Sequence, residues 1–161
     1  MAEIALNHPI RIGRKSDDTP NIKSHYEKAS ATFVRGNFVT LTNGQIDKTA
    51  DAGTAILGQA MEDASGTANT EILVSEADDG ELFEINVYHA TEASAVTNKN
   101  MIGSEYGIKA VTGVLGDSVH VLDMENTTQK VFRIVRLSSK DNEGDTYGRV
   151  IVRICSSALQ T

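Results

Sequence analysis

Histidine is the side chain in this sequence best suited to acid–base or metal chemistry, and the chain has four of them: His8, His25, His89 and His120. A local metal motif places two histidines at i, i+2 or i, i+4 so that both rings reach one ion. None of these four shows that spacing. We expect His89 at the end of a strand, and the polar phase of SVHVLD predicts an exposed His120. The histidines therefore predict no metal site.

The acidic run DNEGD at residues 141–145 is the next candidate for chemistry. It superficially resembles a calcium loop, but it lacks the EF-hand spacing and the terminal glutamate. A hairpin turn explains it better. The sequence has no phosphate loop, no dinucleotide-binding motif and no nucleophile elbow. Cys155 follows the alternating strand VIVRI, which favours a small buried hydrophobe over a nucleophile. We therefore expect no catalytic residue, no cofactor and no enzyme activity.

The net charge of −7 is unevenly distributed along the chain. Residues 1–32 carry a net charge of +1, residues 33–129 carry −11, and residues 130–161 carry +3. An acidic middle segment repels phosphate backbones, so we expect no nucleic-acid partner. The same acids are also what solvated loops and outer strand faces contain.

Cysteine content and hydropathy bear on the compartment. A single cysteine cannot form an internal disulfide, and no apolar run of signal-peptide or membrane-span length is present. We therefore expect a protein made in a reducing cytoplasm, with no membrane partner.

The elements that would position any site are β-strands from residue 33 onward. Asn43-Gly44 lies between FVTL and QI, and this dipeptide is the strongest short hairpin signal. ELFEINVYH is the best strand, with Phe83, Ile85 and Val87 on one face. About eight or nine short strands at regular spacing predict an all-β barrel or sandwich. Residues 92–102 are the only predicted helix, and the sequence shows no internal repeat.

Residues 1–32 are predicted to be an extended N-terminal arm, and residues 33–161 the β domain. Ordering about 12 arm residues costs ~12–24 kcal/mol, while burying four aliphatic side chains returns only ~6–12 kcal/mol. We therefore expect the arm to be mobile until a partner adds backbone hydrogen bonds. Packing on its own domain and plain disorder are the alternatives. The predicted partner-binding residues are Ile4, Leu6, Ile10, Arg11, Ile12 and Arg14.

A self-association face is predicted on the last strand. Arg149 and Arg153 flank Ile151 on the side opposite the core, and Arg133 and Arg136 lie in the preceding strand. Arginines beside an aliphatic side chain could contact the acidic middle segment of another subunit. A solvated strand face is the alternative.

The run GNFVTL-x-NGQI, followed after eight residues by AILGQA, resembles the capsid decoration (cement) proteins of tailed bacteriophages. The later NMIGSEYGI and the closing G-x-VIVRI extend the resemblance over about residues 33–154. The resemblance implies a β-barrel or sandwich on the outer surface of the virion head. It also implies a homotrimer that staples neighbouring subunits of the major capsid protein, with no catalytic residues.

Other functions remain open on sequence grounds. A phage tail or baseplate module would also be β-rich and acidic. A small-ligand or carbohydrate-binding β domain is a further alternative, although the chain has no tryptophan to stack on a sugar. A hydrolase is the least favoured class.

Overall fold

The computed structural model describes residues 2–13 and 21–161, so the predicted partner residue Arg14 lies outside the described residues. The described chain is all-β, as predicted: nine strands follow residue 33, which agrees with the eight or nine expected there, and two more lie before it. In the described residues, eleven strands run in the order β1 Ile10–Gly13, β2 Ile22–Glu27, β3 Phe38–Thr42, β4 Gln45–Lys48, β5 Gly58–Ala60, β6 Glu71–Glu76, β7 Leu82–Tyr88, β8 Glu105–Thr112, β9 Ser118–Asp123, β10 Phe132–Leu137 and β11 Arg149–Ile154.

Local sequence signals explain several of these strands. Asn43 and Gly44 both have positive φ, at 51° and 80°, and they connect β3 to β4 as the hairpin signal predicts. In β7, Phe83, Ile85 and Val87 are all buried, as the alternating pattern predicts. The helix predicted for residues 92–102 is not formed. Two single 3₁₀ turns, Glu92–Ser94 and Lys99–Met101, stand in its place.

The strands close into two small barrels, which we call the first barrel (β2 to β6) and the second barrel (β7 to β11). The order around the first is β2-β4-β3-β5-β6, and the order around the second is β7-β9-β8-β10-β11. In both rings the first and third strands are parallel, and every other neighbouring pair is antiparallel. The two barrels therefore repeat one topology, a repeat that the sequence does not reveal.

The two barrels share part of their cores. The ring of Phe38, in β3 of the first barrel, lies 5.3 Å from Phe83 and 5.5 Å from Phe132 of the second. Ile56, between β4 and β5, belongs to the same cluster of buried side chains. A separate, smaller cluster fills the first barrel around Phe33, Ile46 and Val74.

The predicted boundary between an arm and a β domain at residue 33 is not where the structure divides. Strand β2 belongs to the first barrel and pairs with β6 from Ile22 to Tyr26. Strand β1 pairs antiparallel with β7 of the second barrel. The physical reason is that each strand forms backbone hydrogen bonds with the chain's own sheets, β2 with β6 and β4 and β1 with β7.

Candidate interaction surface

The extended N-terminal segment, residues 2–13, lies along the second barrel. Its backbone is fixed at several points: Ala2 donates its N–H to Asp145 Oδ1 (3.0 Å), and Ile4 donates to the carbonyl of Thr146 (2.8 Å). Further on, β1 aligns Ile10 with Glu84. The alternative in which the arm packs on its own domain is therefore the one that the structure shows for these residues. The second barrel itself supplies the backbone hydrogen bonds that were predicted to come from a partner.

Arg11 anchors this segment from the inner side of β1. Its guanidinium contacts Glu81, whose side chain is fully buried, and its Nη2 donates to the carbonyl of Ser75 (3.2 Å). The same group lies 5.5 Å from the centre of the Phe83 ring. Arg11 was predicted to bind a partner. In the structure it instead joins β1 to the β6–β7 region, which links the two barrels.

The isoleucines beside Arg11 point the other way. Ile10 is 50% exposed, and Ile12 is also exposed, while Ile4 and Leu6 are half-buried. This division follows from the strand alternation, because Arg11 occupies the inner face of β1. Ile10 and Ile12 are therefore available to a partner, whereas Ile4 and Leu6 are available only in part.

The tip of the β8–β9 hairpin lies next to the N-terminal segment. Val114 donates its N–H to the carbonyl of Leu6 (3.0 Å), and His8 Nε2 lies 2.6 Å from Asp117 Oδ2. Leu115, at the tip, is 86% exposed. A shallow groove of about 210 Å³ separates the two segments and is lined by Glu3, Ile4, Ala5, Leu6, Thr112, Gly113, Val114 and Tyr147.

We call residues 4–12 together with the tip at residues 113–117 the N-terminal surface. It presents exposed aliphatic side chains, Ile10, Ile12, Val114 and Leu115, on segments whose backbones are fixed by hydrogen bonds. Exposed aliphatic side chains mark contact sites for other proteins where they form a contiguous patch. The chemistry that this surface offers is apolar contact.

The predicted subunit contact on β11 is corrected by the structure. Ile151 is only 1% exposed, so it offers no area to another subunit. It lies directly across from Glu84, which accepts hydrogen bonds from Ser138 Oγ (2.8 Å) and Lys140 Nζ (2.7 Å). The Arg149 guanidinium donates two hydrogen bonds to the Asp141 carboxylate, and its Nη1 lies 3.7 Å from Glu84 Oε1. This polar cluster occupies the face that was predicted to be free.

Arg153, the third predicted contact, remains half-exposed and lies between Leu82 and Arg133 in the sheet. Without Ile151 and Arg149 it does not form an apolar and basic patch.

His120 was predicted to be exposed but is completely buried between the barrels. Its Nδ1 accepts a hydrogen bond from the N–H of Phe38 (2.9 Å), and its Nε2 donates to the carbonyl of Thr49 (2.9 Å). Burial lowers the pKa of His120 to about 4. The nearly continuous apolar run around it, Val119, Val121 and Leu122, was the available signal. Such a run indicates a strand buried on both faces.

The acidic turn at residues 141–145 forms a structural turn, as predicted. Asp141 binds Arg149, Asp145 accepts from the N–H groups of Ala2 and Asn142, and Glu143 accepts from the N–H of Lys99 (2.9 Å). The hydrogen bond with Arg149 holds the pKa of Asp141 below its usual value. In residues 2–13 and 21–161, no group of three or more His, Cys, Asp or Glu side chains is arranged to hold a metal ion.

Two further observations concern the chain as a whole. Within the described part of the chain, no helix has the length and apolar character needed to cross a membrane. A comparison with protein-family models, curated proteins and solved structures finds no match to this sequence or fold.

Proposed function

We propose that this protein is a non-catalytic virion component that binds the outer surface of a tailed-phage head and links neighbouring subunits of the major capsid protein. The observation that supports the proposal best is the N-terminal surface, where the exposed isoleucines of β1 follow a segment, residues 4–8, that is held against the exposed tip of the β8–β9 hairpin. The sequence resemblance to capsid decoration proteins points to the same role.

The energetics of this surface favour binding. Residues 2–13 are already held on the second barrel, so a partner does not have to supply the entropy of ordering them. Each aliphatic side chain that becomes fully covered contributes roughly 1.5–3 kcal/mol. In place of the mobile arm expected from the sequence, we propose a pre-organised surface that binds its partner as a rigid body.

Co-sedimentation with expanded heads of the phage that encodes the protein tests the proposal. The wild-type protein should bind at a fixed copy number per head, and Ile12→Asp and Leu115→Asp should each weaken binding at least tenfold. Val135→Asp is the matched control for Ile12→Asp, because Val135 is 40% exposed, against 39% for Ile12, but lies on β10 of the second barrel. Equal binding by all four proteins, or no binding by the wild type, would contradict the proposal.

We further propose a homotrimer. This part rests on the sequence resemblance alone, since the face that was predicted to form the subunit contact is occupied by the cluster around Glu84. The oligomeric state is measured by sedimentation equilibrium of the free protein at micromolar concentration and by the copy number on heads.

A further inference from the structure

Each barrel is closed by only two residue pairs between its first and third strands. In the first barrel, Tyr26 and Glu27 of β2 align with β4; in the second, Val87 and Tyr88 of β7 align with β9. In both barrels the earlier residues of the first strand extend beyond this closure. The same side of each first strand is therefore left without its barrel neighbour.

In the second barrel this open edge is filled by β1. The added strand runs antiparallel to β7 and aligns Ile10 with Glu84 and Arg11 with Phe83. Further along β7, the same side is taken by β9. The chain thus shows how an extended segment completes a barrel of this topology.

In the first barrel the equivalent edge carries no strand in the described chain, residues 2–13 and 21–161. Two hydrogen bonds at the ends of the β2–β6 pair show which residues of β2 bond to β6. Glu76 donates its N–H to the Asn21 carbonyl (2.8 Å), and Glu27 donates its N–H to the Thr70 carbonyl (2.9 Å). In an antiparallel pair, alternate residues bond to the same neighbour. The backbone groups of Ile22 and Ser24 therefore point away from β6, toward the open edge.

Apolar side chains surround this edge. Ile22, Tyr26 and Leu73 are between 43% and 50% exposed. They lie on one face, because Leu73 pairs with Ser24, two residues from both Ile22 and Tyr26. A strand added along β2 would bring alternate side chains over these three residues.

Pairing with a second copy of β2 is disfavoured by charge. The antiparallel register that joins the free backbone groups of Ile22 to those of Ser24 in the other copy places Lys23 directly opposite Lys23. Like charges directly opposite each other destabilise a strand pair. Lys23 has an ammonium that contacts Glu76 (2.8 Å), and its side chain is 57% exposed, so a second carboxylate can reach it. The edge therefore favours a different chain with an acidic residue at this position.

We infer that the free edge of β2, at Ile22 and Ser24, binds an extended segment of a partner protein by antiparallel strand addition. The segment has apolar side chains that cover Ile22, Tyr26 and Leu73 and an acidic side chain opposite Lys23. This inference deepens the proposed function, and it rests on that function only in taking the partner to be a protein.

The test uses the full-length protein and a synthetic peptide, so that it does not depend on phage heads. The probe is a capped seven-residue peptide in which glutamate and isoleucine alternate, followed through the backbone amide resonances of the protein. Saturating peptide should shift the resonances of residues 22–26 and 71–75 and slow amide exchange at Ile22 and Ser24 at least tenfold. A peptide with lysine in place of glutamate should bind at least tenfold more weakly.

Two variants complete the test. Ser24→Pro removes the outward N–H at a position where an edge strand tolerates proline, and it should weaken peptide binding at least tenfold. Ile102→Asp, at an equally exposed residue far along the chain, should leave binding unchanged. If Ser24→Pro fails to fold, a peptide N-methylated on the residues facing β2 replaces it.

The inference is overturned if millimolar peptide leaves residues 22–26 unshifted, if both peptides bind equally, or if Ser24→Pro binds like the wild type. Self-association that protects Ile22 and Ser24 would overturn it in favour of a second copy. A failure of head binding with peptide binding intact would instead reject the proposed function and leave the inference standing.

Discussion

The two barrels have the same strand order but different inner faces on their first strands. In the second barrel, β7 turns Phe83, Ile85 and Val87 inward, and all three are buried. In the first barrel, β2 carries Lys23 and His25 on the same face as the core residues Val74 and Ile72. His25 is half-buried there, and the Lys23 side chain extends to the surface with 57% exposure. The same topology therefore begins with an apolar strand, β7, in the second barrel and with a polar strand, β2, in the first.

The polar strand is stable because its charges are paired within the barrel. Glu76 contacts Lys23 Nζ (2.8 Å) and His25 Nε2 (2.9 Å), and it accepts a hydrogen bond from Asn21. Burial alone would raise the pKa of Glu76, but the hydrogen bonds and charges of Lys23 and His25 lower it overall. The comparison teaches that the ring of backbone pairs defines this fold, while the inner face of a single strand can vary.

The barrels differ in their cores but are joined at Phe38, whose replacement should have the largest effect. Phe38→Ala removes a fully buried ring that contacts Phe83, Phe132 and His120, and it should lower the free energy of unfolding by about 3–5 kcal/mol. Phe33→Ala, in the core of the first barrel alone, is the matched control. Calorimetry should show one cooperative transition for each variant. Two separate transitions would show that the barrels unfold independently.

Acid should weaken the contact between the barrels before it affects the carboxylates. The pKa of His120 is about 4 in the folded protein, against 6.5 for an ordinary histidine, because burial disfavours the charged ring. The unfolded chain therefore binds a proton between these pH values while the folded chain does not. Stability is complete above pH 6.5 and should fall by about 3 kcal/mol as the pH drops to about 4.

The variant His120→Gln isolates this effect. Its stability should depend less on pH between 6.5 and 4 than that of the wild type, as measured by urea unfolding at several pH values. The groups facing His120, Lys48, Asp51 and His8, are unchanged in the variant and serve as the common background. If the free energy of unfolding changes equally with pH in both proteins, His120 does not control stability between pH 6.5 and 4.

The sequence predicts strands in both barrels but misses β2, and the reason lies in particular residues. The alternation of Phe83, Ile85 and Val87 identifies β7, and Asn43-Gly44 identifies the β3–β4 hairpin. By contrast, β2 carries Lys23, His25 and Glu27 on its inner face, so it has no apolar period to detect. Its pairing partners, such as Glu76, are distant in the sequence and are brought close only by the fold.

The candidate site was predictable only in part for a similar reason. Ile10, Arg11 and Ile12 were predicted together as partner-binding residues, whereas in the structure both isoleucines are exposed and Arg11 lies on the inner face of β1. The sequence does not show that Glu81 and Phe83 receive Arg11, or that Glu84 and Lys140 occupy the face of Ile151. Both outcomes depend on contacts between segments more than fifty residues apart.

Glu27→Gln tests whether the polar inner face of β2 depends on charge. The carboxylate of Glu27 is buried and accepts hydrogen bonds from Ser65 and from the N–H of Thr67 (3.1 Å). Burial alone would raise the pKa of Glu27, but these bonds lower it overall, so the charged form contributes stability that is lost as pH falls below about 4.5. The substitution should lower the free energy of unfolding by about 1–3 kcal/mol near pH 7. Chemical unfolding measures it, and an unchanged midpoint would show that the charge is dispensable.

The smallest effect on stability is expected at Ile10, although the neighbouring Arg11 is structural. Ile10→Asp changes a half-exposed side chain on the outer face of β1 but places a carboxylate across from Glu84, so the free energy of unfolding should fall by no more than about 1 kcal/mol. Arg11→Ala, on the inner face, removes the contacts with Glu81 and Ser75 and should lower the melting temperature clearly. If Ile10 belongs to the partner surface, Ile10→Asp should weaken binding to heads much more than it lowers the melting temperature, because it places a charge in an apolar contact. Thermal melts and head co-sedimentation of both variants separate the two faces of β1. A large loss of stability in Ile10→Asp would show that its side chain serves the fold.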